Sequence, residues 1–302
     1  MDRKLMKRLI IGCGYLGIRV ASHWRASGDR VSILTRSLER ASALRLKGFH
    51  AIVGDVMDPN SLTKLPDSDT IFYSVGFDRL GGYSKRAVYV DGLRNTLSCV
   101  EGRTGSLIYI SSTSVYGQSS GELVDEASIT EPAEENGRIC IDAESVVWHF
   151  FDPTHNNRAI ILRLAGIYGP GRLLARIEQL KSQTPLTGNP EAWLNLIHID
   201  DATRTAIAAS ERGKPGQIYL VCDDRPIHRH QYYSALAERI GTPQPIFANI
   251  PADSPELGRI NKRCTNRKIR QELRVDLQFP SITEGLNSLP EVMQSKGRLR
   301  RE

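Results

Sequence analysis

The stretch IIGCGYLGIRV, Ile10 to Val20, decides how the rest of the chain is read. Two isoleucines close a short apolar run, and Gly12, Gly14 and Gly17 follow in G-x-G-x-x-G spacing. Leu16, Val20 and Trp24 then recur at helical intervals, and Gly28 with Asp29 ends that helix before the next apolar run begins. The order is strand, glycine-rich turn, helix, a context that makes the glycine spacing specific. Each glycine has its own duty in such a turn. Gly12 permits the sharp reversal, Gly14 leaves the backbone bare, and Gly17 lets the helix lie close to the strand.

Working outward, six more apolar runs share the character of RLIIG (8–12): RVSILT (30–35), HAIVG (50–54), TIFYSV (70–75), SLIYIS (106–111), AIILRL (159–164) and QIYLV (217–221). Longer helical patterns separate them. Alternation of this kind predicts an α/β fold, a Rossmann-type doubly wound parallel sheet with a smaller C-terminal substrate lobe. Residues 1–165 plus 195–221 are expected to form the dinucleotide-binding domain, and residues 166–194 plus 222–302 the smaller lobe. Helices are expected near 172–183, 229–240 and 264–273. In LNLIHIDDATRTAIAAS, Asp200 or Asp201 suits a helix N-cap, with His198 a structural residue at the corner, and Gly213 with Pro215 stops the helix.

Composition narrows the function classes. A chain of 302 residues with 40% hydrophobic residues can bury a sizeable core. No run reaches the roughly 18 apolar residues of a membrane span, and MDRKLMKR leads straight into a strand, so the expected location is the cytoplasm. The five cysteines, at 13, 99, 140, 222 and 264, are odd in number and lack a C-x-x-C pair. Neither a disulfide framework nor a metal site is expected. The net charge of +6 is modest and lies partly in the terminal KGRLRRE, with no stripe of basic and aromatic residues, so no nucleic-acid partner is expected.

The glycine turn points to a dinucleotide, whose pyrophosphate would meet the helix N-terminus at Tyr15 and Leu16. A plain strand-to-helix corner is the alternative. For NAD, a carboxylate about 20 residues further on would take the ribose hydroxyls. Here the second strand ends in LTRSLER, with Arg36 and Ser37 and no acid, and Asp29 stands at the wrong end of that strand. Arg36 beside Ser37 suits a 2′-phosphate, so NADP is expected over NAD; a solvated surface arginine is the other reading. Asp55 in VGDVMDP either accepts from an adenine amino group or caps the turn. Ser74 and Gly76 belong to a small-residue loop that lets a cofactor pass close to the backbone.

GCGYLG, GDVMDP, YVDGLRNTL, LIYISSTSVYG, LRLAGIYGPGR and NLIHIDDATRTA together resemble the NAD-dependent epimerase/dehydratase superfamily, the extended short-chain dehydrogenase/reductases. The match runs in order along nearly the whole chain. The short glycine loop lacks the leading Thr and Gly of typical members, which suggests an atypical subgroup. The resemblance implies oxidoreductase or epimerase chemistry, mostly on nucleotide sugars, carried by a Ser or Thr and a Y-x-x-x-K pair. The Ser corresponds to Ser112. Setting NGRICIDAE on the family pattern puts Asn136 in the Tyr position and Cys140 in the Lys position, with Glu144 matched. Both halves of the pair are replaced.

An amide does not titrate near neutrality, so Asn136 can hold an oxygen but not deliver a proton. A thiol lacks the positive charge that would bind the nicotinamide ribose, and Cys140 reads either as a reactive thiol or as a small buried residue. Tyr116 is the leading substitute donor, with packing as its other duty; Tyr83, Lys85 and Tyr89 lie in the segment after the fourth strand. Arg172 is a candidate for a substrate phosphate. Two functions stand side by side: an NADP-dependent oxidoreductase or epimerase on a small hydroxyl or carbonyl substrate, and a non-catalytic NADP(H)-binding sensor. Trp148 and Phe151, expected to be exposed on the helix that bears positions 136 and 140, make a homodimer plausible.

Overall fold

The computed structural model describes residues 4–151, 158–249 and 260–289. The terminal basic segment KGRLRRE lies outside these residues. The seven apolar runs form one parallel sheet: β1 (Lys7–Ile11), β2 (Arg30–Thr35), β3 (His50–Val53), β4 (Thr70–Tyr73), β5 (Ser106–Ser112), β6 (Arg158–Leu164) and β7 (Gln217–Val221). Their spatial order is β7-β6-β5-β4-β1-β2-β3, all neighbours parallel, which is the doubly wound arrangement.

Both faces of this sheet are covered, which is why its strands read as continuous apolar runs. Ile10, Phe72, Ile108, Ile160 and Tyr219 face one core, with Val20 and Trp24 of α1 (Gly17–Ala26). Leu9, Ile11, Ile71, Tyr73, Leu107 and Ile161 face the other, with Leu93 and Leu97 of α3 (Gly92–Val100) and Ile139, Ala143 and Val147 of α4 (Glu135–Phe150). On the α1 face α2 (Leu38–Leu46) adds Ala41 and Leu44, and it is capped by the Ser37 hydroxyl, which accepts from the Arg40 N–H. At the N-terminal end of the sheet Arg8, 6% exposed, pairs with Asp29 at 2.9 Å, so Asp29 is indeed on the side away from any ligand at the strand C-termini.

A third core gathers Tyr168, Leu173, Ile177, Leu236, Ile240 and Leu286. Around it lie α5 (Leu174–Lys181), α7 (Arg229–Ile240) and a short helix Ile282–Asn287, while α6 (Ile199–Arg212) returns to the sheet and α8 (Arg267–Glu272), like α5 and α7, stands close to its expected place. Ile269, Leu273 and Val275 pack with the sheet rather than with the third core. Lys268 fastens them there by donating to Gln217 and to the Ile218 carbonyl.

Two local expectations are corrected. The N-cap of α6 is His198, whose Nδ1 accepts from the Asp200 N–H at 3.2 Å. Burial pushes the His198 pKa down and keeps that nitrogen free to accept. Asp201, fully buried, instead accepts from the N–H groups of Gln278 and Phe279, and Asp200 is largely exposed. On α4, Phe151 is buried at 5% exposure and Trp148 packs partly buried against the same core. Phe151 therefore presents no exposed ring, and Trp148 only part of one.

Candidate active site

The order of strands reverses between β1 and β4, and there the sheet opens a crevice at its C-terminal edge. A cavity of about 480 Å³ fills it, lined by Gly12 and Gly14 from the glycine turn, Arg36 and Ser37 after β2, Asp55 after β3 and Gly76 after β4. The glycines behave as their spacing predicts. Gly12 has φ +90°, and a Cβ there would come 2.4 Å from the Ser74 carbonyl carbon. A Cβ on Gly17 would come 2.2 Å from the Gly12 carbonyl oxygen, while one on Gly14 would meet nothing within 4 Å. The backbone is thus compact beneath the turn and open above Gly14. No side chain caps the N-terminus of α1 and its first turn carries no acid, so the helix dipole is left to an external anion. These features fit a pyrophosphate.

Ser74 and Tyr15 support the turn from outside the cavity lining. The Ser74 hydroxyl donates to the Gly12 carbonyl at 2.7 Å, joining the ends of β1 and β4. Tyr15 points away and donates to the Pro170 carbonyl at 2.8 Å, with Arg172 5.7 Å from its ring centroid. Leu16 is buried in the sheet-side core. Asp55 accepts from the Met57 N–H at 2.9 Å, a turn-capping bond made while the residue also lines the cavity.

At the far end of β2, Arg36 donates to Asp78 at 2.9 Å across the cavity mouth, both side chains about half exposed. Asp78 is held below the usual carboxylate range by the Leu80 N–H and by Arg36. A second arginine, Arg40, also lines the cavity and donates to the Cys13 carbonyl. No motif spacing singles out Arg40. Its signal was present: Arg40 falls in the first turn of α2, where the helix dipole disfavours a cation.

Around the C-terminal end of β5 and the start of α4 stand the residues matched to the family's catalytic positions, none of which lines the cavity. Ser112 ends β5, partly buried, and its hydroxyl accepts from the Ser114 N–H at 3.1 Å. Gly137 brings α4 close to this corner, since a Cβ there would lie 2.3 Å from the Ser114 carbonyl oxygen. Cys140 is buried, burial raises its pKa, and Ser114 donates to its sulfur at 3.6 Å. Of its two readings, the small buried residue matches these surroundings; a reactive thiolate does not. Asn136 is exposed and accepts from Lys85 Nζ at 2.8 Å.

Tyr116, the leading substitute donor, is corrected by its surroundings. It is fully buried, its hydroxyl accepts from Arg163 Nη1 at 2.9 Å, and burial pushes its pKa up to about 12. Its ring belongs to a closed network in which Arg163 donates twice to Glu144, at 3.0 and 2.7 Å, and Ser111 donates to the same carboxylate at 2.5 Å. Glu144, the matched family position, is here the anchor of α4 on β5 and β6.

Comparison with known proteins agrees with this architecture. Residues 9–222 match the model of the NAD dependent epimerase/dehydratase family, and the chain belongs to that family. It is 28% identical over 285 residues to protein YeeZ of Escherichia coli (strain K12), covering 91% of this chain and 97% of YeeZ. Among solved structures, a conserved Silicibacter pomeroyi protein of unknown function superposes with a TM-score of 0.76 at 26% identity, over 94% of this chain and 98% of that one. The UDP-glucuronic acid 4-epimerase of Bacillus cereus, solved with UDP-glucuronic acid and NAD, shares the fold with a TM-score of 0.76 at 22% identity, over 94% and 97% of the two chains. Among the described residues no helix is long and apolar enough to cross a membrane, and no cluster of His, Cys, Asp and Glu could hold a metal ion.

Proposed function

We propose that this chain binds NADP(H) along the C-terminal edge of its sheet and acts as an oxidoreductase or epimerase on a small hydroxyl or carbonyl substrate of the nucleotide-sugar class. The observation that carries the cofactor choice is the pairing of Arg36 and Arg40 at the cavity's β2 end, with Ser37 between them and no acid from that strand. The Bacillus cereus neighbour was solved with NAD; two cations here favour the phosphorylated form. Arg36 gives up little to meet a 2′-phosphate, because solvent screens an exposed pair such as Arg36–Asp78. Charge-assisted bonds to phosphate are stronger.

When bound, the dinucleotide supplies hydride chemistry. The chain's own part is to hold and orient: the glycine turn receives the pyrophosphate, and Ser112 directs a substrate oxygen. Without the phenol at position 136, proton transfer is the weak step, and losing a general acid costs about 10²–10⁴-fold in rate. Asn136 and Cys140 are also what favours a second reading, a protein that binds NADP(H) and reports its occupancy without turnover. In both readings the third core, built on Tyr168, Leu173, Ile177, Leu236, Ile240 and Leu286, is the lobe that receives a substrate or partner.

Calorimetric titration with NADPH and NADH tests the cofactor reading. NADPH is expected to bind at least about tenfold tighter, a difference of 1.4 kcal/mol, and Arg36→Ala to erase that preference. Equal affinities in the wild-type chain would refute it. Turnover with any member of a nucleotide-sugar and carbonyl panel decides between enzyme and sensor.

A further inference from the structure

The segment after β4 carries Lys85 and Arg86 in succession, and both cross to α4. Lys85 Nζ donates to Asn136 Oδ1 at 2.8 Å, and Arg86 donates to Asp142 at 2.5 Å. Lys85 also stands 5.5 Å from the ring centroid of Tyr89, whose hydroxyl accepts from the Phe77 N–H at 3.3 Å, just beyond the end of β4. Tyr83 and Val88, on either side of Lys85 in the chain, line the cavity. The ammonium is therefore held beside Asn136, in the segment whose Tyr83 and Val88 line the same cavity as Arg36 and Arg40.

Two further features bear on what it does there. Residues Ala87–Asp91 form a π-helical turn, an irregularity that recurs at functional sites. The Lys85 charge also acts on the Cys140 thiol, lowering its pKa against the larger effect of burial. Position 140 is the place in α4 from which a cation is missing. An ammonium has three N–H donors, and Asn136 takes one of them. A tether to an exposed amide is a poor reason to immobilise a lysine, since such a bond returns little net stability and the side chain loses rotamer freedom.

We propose that Lys85 is the cation of the redox end of this site: it donates to hydroxyl and carbonyl oxygens of the nicotinamide riboside half of a bound dinucleotide, reaching the crevice from the post-β4 turn instead of from α4. Asn136 then serves as its bracket. This inference rests on the dinucleotide reading above, and the two can be separated by choice of ligand.

The experiment is calorimetry on the full chain with NADPH and with adenosine 2′,5′-bisphosphate, which lacks the nicotinamide half. Lys85→Ala is expected to weaken NADPH by about tenfold, the scale of a lost charged hydrogen bond, and to leave the bisphosphate unchanged. Lys85→Arg is expected to recover most of the loss. Unaltered NADPH affinity in Lys85→Ala overturns the assignment, as does a parallel weakening of both ligands. Thermal melting of each variant shows whether the fold is intact. Should the wild-type chain bind neither ligand, the dinucleotide reading itself falls and this one with it. Should it bind the bisphosphate while Lys85→Ala binds NADPH normally, only the role of Lys85 falls.

Discussion

Replacing Glu144 with Gln removes one charge from the network that fixes α4 to the sheet and preserves its shape. The two charged side chains are each 6% exposed, and the carboxylate receives Arg163 through both oxygens as well as the Ser111 hydroxyl. Gln keeps one acceptor oxygen but leaves the Arg163 guanidinium buried with no counter-charge, beside a Tyr116 phenol that burial already holds protonated. Breaking one side of a buried ion pair costs about 3–5 kcal/mol. Against a total stability of about 5–15 kcal/mol that is a large fraction. Guanidinium denaturation followed by circular dichroism should show the midpoint falling accordingly with the slope unchanged. The double variant Glu144→Leu with Arg163→Met should recover most of the loss, because an apolar replacement leaves no stranded charge. A loss below about 1 kcal/mol in Glu144→Gln, typical of exposed pairs, would refute the reasoning, and so would a double variant no more stable than the single one.

Gly14→Val should abolish NADPH binding while leaving stability within about 1 kcal/mol, because its side chain enters the open space of the crevice. Gly12→Ala should do the opposite first, lowering the melting temperature through positive φ and the clash with Ser74, at a cost of about 1–3 kcal/mol for the strain alone; comparable stability of the two variants would contradict the division of labour. Asp223, 2% exposed, has its pKa raised to about 8 by burial, with Asp224, Glu284 and Asp201 adding to it. The native state then holds a proton that the unfolded chain releases near pH 4, so stability should fall as the pH rises from about 4 to about 8. Asp223→Asn should flatten that slope in melting curves, and identical slopes in the two proteins would count against it.

What the chain revealed unaided was what short-range chemistry controls. Seven apolar runs, the glycine spacing after the first and the helix between Gly17 and Ala26 are set by neighbours within a few residues; the runs form the sheet, and the turn and helix follow its first strand as expected. The helix that carries Asn136 and Cys140 was likewise readable, since its apolar stripe needs only register along one helix. Tertiary structure decided which side chains meet. Tyr116 sits at a strand end that ought to face the crevice, yet Arg163, distant in sequence, draws its hydroxyl into a sealed network. His198 outcompetes two aspartates for a cap because one of them is claimed by Gln278 and Phe279. Lys85 reaches Asn136, and Arg40 the glycine turn, across separations that no local pattern encodes. Long polar side chains go where a distant partner repays their desolvation and lost freedom, and only the folded chain says where that partner is.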